Sequence, residues 1–475
     1  MDFQKQIDEG IKATFQKKQL EFHILFVSDG NSRLSPLRGA TAMEYFKNAY
    51  STFADVSVTT MNSTGFLREE PDLTKYNVLW IDNVINAKFI HTIGDKIQEL
   101  ENQVCGGPME IPADATEESL EAEAKQRQIM RNLKLRVIYA LDEFVWHAPA
   151  GRQVNMFTVR MVEDAMIIAD EIVVPNTSMM VTLKKVNLIP EDKDVVVINT
   201  FVNNTMYPLY RVNERASRYS TSIRRPKILI KGTTIPKNVQ NFILYKKGVF
   251  EVSKEYKITI CSVGELAKPL YAKMQQTPDG KEPEVTTIQH WASAQVDFNN
   301  FAGNMAIERD VGYDFVITTV PENIQDDPYE LANADTDNIL AVAEGAVTIA
   351  GVKDAGYTAA NHICVASGLT FSPNDPPEAL LNLIERWRIC VNWDEAYKKQ
   401  RELLNQKTIG SEQILGGFFH AMLGRTLSDA YAAHLKEELE KQKAEEEAMK
   451  AEAKKAKENK KKKADPEKEK AEETK

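Results

Sequence analysis

The chain has 475 residues, more than one ordinary hydrophobic core organises, so two or three domains are expected. Apolar residues make up 43%, which excludes a disordered protein, and a net charge of −10 disfavours non-specific adhesion to nucleic acid or anionic lipid. No apolar run approaches the roughly 18 residues that span a bilayer, and the opening MDFQKQIDEGIKATFQKKQL lacks an apolar signal core, so the expected location is cytoplasmic.

Phe22–Ser28 (FHILFVS) is a short apolar run that reads as a buried parallel strand, and Asp29-Gly30-Asn31 is a turn signal after it. Ala40–Tyr50 follows as a helix with Met43, Phe46 and Tyr50 on one face. The pattern repeats with strands at Val56–Thr60, Tyr76–Ile81, Leu135–Leu141, Glu171–Pro175 and Asp194–Ile198. Helices are expected at Ala87–Glu101, Val159–Ala169 and Thr177–Val186, with Gly106–Gln128 an acidic insertion whose second half is helical. Strands alternating with helices imply a parallel sheet covered on both faces.

Asn203–Lys227 is polar and carries Arg211, Arg215, Arg218, Arg224 and Arg225, so it reads as a linker. A second series begins at Lys227–Lys231 (KILIK) and continues at Lys257–Val263, Val285–His290, Tyr313–Thr318 and Val347–Ala350. Helices are expected at Asn338–Glu344 and Pro377–Ile389, and Trp393–Leu435 reads as a helical stretch running back across the first domain. From Lys436 onward, 14 Lys stand against 13 Asp plus Glu with no apolar stripe, so this tail is a frayed helix or disordered. It is either a solubilising tail or an arm that binds a protein partner. The expected organisation is 1–205, a linker at 206–226, 227–395, returning helices at 396–435 and the tail at 436–475. The fold class is α/β, with two doubly wound Rossmann-like domains facing a cleft.

Cys105, Cys261, Cys364 and Cys390 are scattered, and the histidines form no metal-binding spacing. Neither a disulfide framework nor a metal site is expected.

Three segments resemble the GT-B nucleotide-sugar glycosyltransferases, specifically their large retaining group, which includes glycogen synthase. The likeness covers most of Phe22 to Trp387. Ile24–Arg38 (ILFVSDGNSRLSPLR) is similar to the opening strand and phosphate loop of these enzymes, with Gly30, Ser35 and Arg38 in matching places. RVIYALD (136–142), ADEIVVPNT (169–177) and VVVINTF (195–201) resemble a recurring series that ends a strand in carboxylates. NADTDNILAVAEGAVTIAG (333–351) is similar to the donor-binding segment, matching at Asp335, Ala343, Gly345 and Ala350, with Tyr357 beyond it. KGTTIPK (231–237) resembles the glycine-containing loop that holds the donor phosphate. Two positions depart from the pattern. Leu340 stands where relatives carry a ribose-binding glutamate, and Asn333 where they carry a lysine. Glu344 is read as lying on a different helical face from Leu340.

The resemblance implies sugar transfer from a UDP-, GDP- or ADP-linked donor, without a cofactor or metal. It implies donor contacts from Gly30, Ser35, Arg38, Lys231, Gly232, Lys237, Asp335 and Gly345, with Asp142 and His147 at the acceptor or sugar. Judged alone, Asp142 is equally a loop carboxylate, His147 an incidental loop histidine, and the basic residues a solvated linker. Two other readings stand beside this one. The first is a GT-B-shaped protein that has lost catalysis and serves as a binding component. The second is an enzyme whose acceptor is modified DNA, as in some phages, rather than a glycan or protein.

Overall fold

The structure is a computed structural model and describes residues 3–15, 20–30, 39–52, 54–109, 116–148, 153–189, 193–204, 209, 226–232, 235–247, 250–262, 285–287, 312–322, 336–353, 362–389 and 393–464. It is α/β, built on two parallel sheets. The first sheet has six strands: β1 (Leu20–Ser28), β2 (Ala54–Met61), β3 (Val78–Asp82), β4 (Arg136–Ala140), β5 (Glu171–Val174) and β6 (Asp194–Val197). Their spatial order is β2-β1-β3-β4-β5-β6, all parallel.

Alternation along these strands separates two cores. Leu25, Val27, Leu79, Ile81, Val137, Tyr139, Ile172 and Val174 face one side. They meet α3 (Ser63–Glu69), α4 (Ala87–Val104), α6 (Met156–Ile168) and α7 (Thr177–Lys185) through residues such as Phe66, Phe89, Val162 and Met179. Ile24, Phe26, Val78, Trp80, Ile138 and Val173 face the other side, against Met43 and Phe46 of α2 (Ala40–Tyr50). The inner strands β3 and β4 are buried on both faces and are nearly continuous apolar runs, whereas the edge strand β2 alternates buried and exposed residues. Asparagine recurs at the helix entries. Asn62, Asn86, Asn155 and Asn176 each accept a hydrogen bond from a first-turn backbone N–H, of Gly65, Phe89, Phe157 and Met179 respectively.

The second face is completed from far away in the sequence. The last helix, α14 (Glu412–Ala464), packs Ile414, Phe418, Ala421 and Met422 into the core of β1, β3 and β4. Phe418 lies within ring-contact range of Phe46, Trp80 and Phe201. The helical stretch 393–435 consists of two helices: α13 (Trp393–Asn405) ends seven residues before α14 begins.

The amino-terminal edge of the first sheet holds a buried ion pair and a buried arginine–glutamate contact. Asp170, just before β5, takes both guanidinium nitrogens of Arg131 at 2.7 and 2.5 Å and also accepts the Val137 backbone N–H. It thereby ties α5 (Glu117–Asn132) to the sheet, a structural role for the aspartate of the ADEIVVP segment. Arg136 donates to Glu171 at 3.2 Å, and both side chains are buried. Burial pushes Glu171 up to about 8 despite Arg136, with Asp194 and Asp170 adding to the rise. Gly424 sits against the Arg136 guanidinium and breaks α14 at φ 67°, where only glycine is unstrained.

The second sheet comprises β7 (Lys227–Gly232), β10 (Lys257–Ser262), β11 (Val285–Thr287), β12 (Phe315–Thr318) and β13 (Val347–Ala350), in the order β11-β10-β7-β12-β13 and all parallel. A separate two-stranded ribbon joins β8 (Lys246–Lys247) to β9 (Phe250–Glu251). Ile228, Ile230, Phe315, Ile317, Val347 and Ile349 build a core with α8 (Lys237–Ile243), α10 (Thr336–Ala343), α12 (Pro377–Ile389) and α13. Three short elements had no strong signal in the sequence: α1 (Phe3–Phe15), α3, and α11 (Ile363–Ser367).

Gly424→Ala places a methyl group on the Arg136 guanidinium at a left-handed φ and is expected to lower stability by about 1–3 kcal/mol in urea denaturation. Glu171 supplies a pH dependence. The folded protein retains its proton up to about 8, whereas an unfolded chain releases it near 4.5. This contribution is fully present below 4.5 and is lost as pH rises through about 8. Glu171→Gln is expected to flatten the decline of the urea midpoint across that window.

Candidate functional site

In each sheet the first strand is interior and the chain leaves it in both directions. The switch falls between β1 and β3 in the first sheet and between β7 and β12 in the second. Such points open a crevice at the carboxyl ends of the strands, where doubly wound proteins bind ligands.

At the first switch point, Ser28 closes β1 and donates its hydroxyl to Asp82 of β3 at 2.9 Å. Asp82 is buried, and Tyr139 is held above its ordinary value first by burial and then by the Asp82 charge. Gly30 follows at φ 68°, with its N–H 3.3 Å from Ser28 Oγ. Gly30, Ser28, Gly39, Ala40 and Thr60 help line a cavity of about 410 Å³. Asp142 is buried two residues beyond β4, and Glu143 is half-buried beside it. His147 is exposed in the following loop. Ser35 and Arg38 lie outside the described residues, as do Asn333, Asp335, Tyr357 and the five linker arginines.

At the second switch point, Lys231 lies in β7 beside Thr318 of β12 and is only 9% exposed. Its ammonium is 3.7 Å from Asp337, in the first turn of α10. That turn is fixed by a buried network. Asn338 Oδ1 accepts the hydroxyls of Thr318 and Thr348 at 2.8 and 2.6 Å, and its amide nitrogen lies 3.1 Å from His362 Nε2. His362 Nδ1 accepts the Cys364 N–H. Gly232 ends β7, and Lys237 opens α8, exposed, with its backbone N–H donated to Glu322. The two lysines thus reach the same edge of the sheet, and carboxylates already stand beside them.

Gly345 adopts φ 90° immediately after α10. Its N–H reaches Val342 O and the next N–H reaches Ala341 O, the glycine helix stop that lets β13 begin. Leu340 is packed in the second core. The expected separation of Glu344 from Leu340 is corrected. Residues four apart share a helix face, and Glu344 is buried one turn beyond Leu340 with its N–H on the Leu340 carbonyl. Among the described residues no group of His, Cys, Asp and Glu is placed to hold a metal ion, and no helix is long and apolar enough to cross a membrane.

No family model and no curated protein matches the chain in sequence. Solved structures resemble it distantly. Sucrose-phosphate synthase from Thermosynechococcus elongatus is 12% identical, with a TM-score of 0.44 over 86% of this chain and 100% of its own. An E. coli trehalose-6-phosphate structure bound with UDP-2-fluoro glucose is 11% identical, with a TM-score of 0.46 over 84% and 98%. Anabaena HepE in complex with UDP-glucose is 12% identical, with a TM-score of 0.40 over 82% and 96%.

Asp337 competes with any anion for Lys231. Asp337→Asn is expected to tighten pyrophosphate binding roughly two- to fivefold in calorimetry, the range of a partly exposed ion pair. An unchanged Kd would mean that Lys231 does not receive the anion.

Proposed function

We propose that the protein transfers a sugar from a nucleotide-diphospho-sugar to an acceptor hydroxyl. The observation that carries this reading is the pair of lysines at the second sheet's carboxyl edge, with Asp337 and Glu322 beside them, and the cluster of carboxylates at the first sheet's edge. Among the described residues, Asp29, Asp82, Asp142 and Glu143 stand at the ends of the first sheet's strands, whereas Lys231 and Lys237 stand at the end of β7 and the start of α8. A diphosphate is stabilised beside the lysines, and a hydroxyl that must lose a proton is served beside carboxylates.

In this reading the donor phosphates lie against Lys231, Gly232 and Lys237. The resemblance assigns Asp335 and Gly345 to the nucleotide and Gly30, Ser35 and Arg38 to the diphosphate. The bond from the sugar's anomeric carbon to the diphosphate oxygen breaks, and its electron pair leaves with the nucleoside diphosphate. The acceptor oxygen bonds to that carbon, and its proton passes to Asp142. His147 meets the donor sugar. No metal is required for this step, because the lysines carry the charge that develops on the leaving group. Leu340 cannot hydrogen-bond a ribose, and the buried Glu344 on the same side of the helix is the carboxylate nearest to that role. The acidic first edge disfavours DNA as the acceptor.

Thermal-shift and calorimetric titration with UDP, GDP, ADP and their sugar conjugates tests the reading. One nucleotide family is expected to stabilise the protein, and Lys231→Ala or Lys237→Ala to weaken it tenfold or more, the scale of a lost charge-assisted hydrogen bond. No response to any nucleotide at millimolar concentration would discard sugar transfer in favour of a non-catalytic binding protein.

A further inference from the structure

The first sheet's carboxyl edge holds a second cavity, of about 580 Å³, at the entries of α3, α4 and α6. That volume is within the range of small-molecule sites. Its floor is set by hydrogen bonds. Asp29 accepts both the N–H and the hydroxyl of Ser63, at 2.8 and 2.9 Å, and Asn86 donates to the same hydroxyl at 2.8 Å while capping α4. The exposed walls are the Asn62 amide, the Thr64 hydroxyl and the Lys88 ammonium. One side is the ring of Phe157, which is 55% exposed although Val159, Met161 and Val162 of the same helix are buried.

Resting on the sugar-transfer reading, we propose that this cavity binds the acceptor and that the acceptor is a neutral saccharide. A pyranose presents hydroxyls around its rim and C–H groups on its face. The rim matches the amide, hydroxyl and carboxylate groups, which are either donors or acceptors, and the face matches an exposed aromatic ring. The surroundings oppose an anion: Lys88 is the single cation lining the cavity among the described residues, and it is set against Asp29 there and against Asp82 and Asp142 along the same edge. Phe157 is therefore a specificity residue for the acceptor, and its exposure is the cost of presenting a ring to a ligand.

Saturation-transfer NMR on the full chain tests the proposal, using methyl glycosides of glucose, galactose, mannose and N-acetylglucosamine, the disaccharides maltose and lactose, and glucose 6-phosphate. At least one neutral saccharide is expected to bind. Phe157→Ala is expected to weaken it about tenfold and Thr64→Val severalfold. The proposal is overturned if no neutral saccharide binds, if binding ignores Phe157→Ala and Thr64→Val, or if glucose 6-phosphate binds through Lys88 while neutral sugars do not. UDP, GDP and ADP titrated into the same samples read the donor site separately. Nucleotide binding without saccharide binding rejects the acceptor assignment alone, and the absence of both rejects the transfer reading with it.

Discussion

Every strand of the two main sheets runs parallel to its neighbours, and that constraint arranges everything else. A parallel neighbour is reached only by crossing over the sheet, so helices must cover both faces and all carboxyl ends must emerge on one edge. Because the first strand of each sheet is interior, with neighbours added on both sides, the crevice opens beside it. Ser28, Gly30 and Asp82 are brought together by this topology in one unit, and Lys231 and Thr318 in the other. Long-range packing then completes the first unit. Its second face stays uncovered until Phe418 and Met422 arrive from α14, some 400 residues after β1.

The two edges differ in how they hold charge. At the first, carboxylates are sunk behind the strand ends, with Asp82 taking a hydroxyl from Ser28. At the second, the Lys231 ammonium faces Asp337, while Lys237 donates only its backbone N–H to Glu322. In the proposed reading, a diphosphate reaching Lys231 displaces Asp337, so the net gain there is the difference between phosphate and carboxylate as partners. The network of Asn338, Thr318, Thr348 and His362 keeps the Asp337 turn in place, which makes that exchange local rather than a rearrangement of the helix.

Much of the fold was legible because strands buried on two faces cannot hide in a sequence. FHILFVS, RVIYA and VTIA are continuous apolar runs, and each is a strand. The exit of α10 was legible as well, since a helix that must stop needs Gly345 at a positive φ. Short α3 escaped because STGFLRE is only about two turns with no repeat, and is recognisable only through the Asn62 cap. The helices expected at 396–435 are two, α13 and α14, separated by QKTIGS. The site was less legible than the fold. Asp170 looked like one letter of a family motif, but its bidentate grip on Arg131 depends on a helix 39 residues earlier in the chain. Glu344 was set aside on a misjudged helix face, and the polar cavity beside Phe157 is assembled from four separate loops. Partners distant in sequence leave no periodic trace.

The central claim is that the two carboxyl edges divide the work, with phosphate at the second sheet and acceptor at the first. A crystal structure grown with a saturating nucleoside diphosphate tests it most directly. The account predicts phosphate density within hydrogen-bonding distance of Lys231 or Lys237 and the backbone at Gly232, with Asp337 released from Lys231. Phosphate density bound instead against the first sheet, around Asn62 and Lys88, would contradict it.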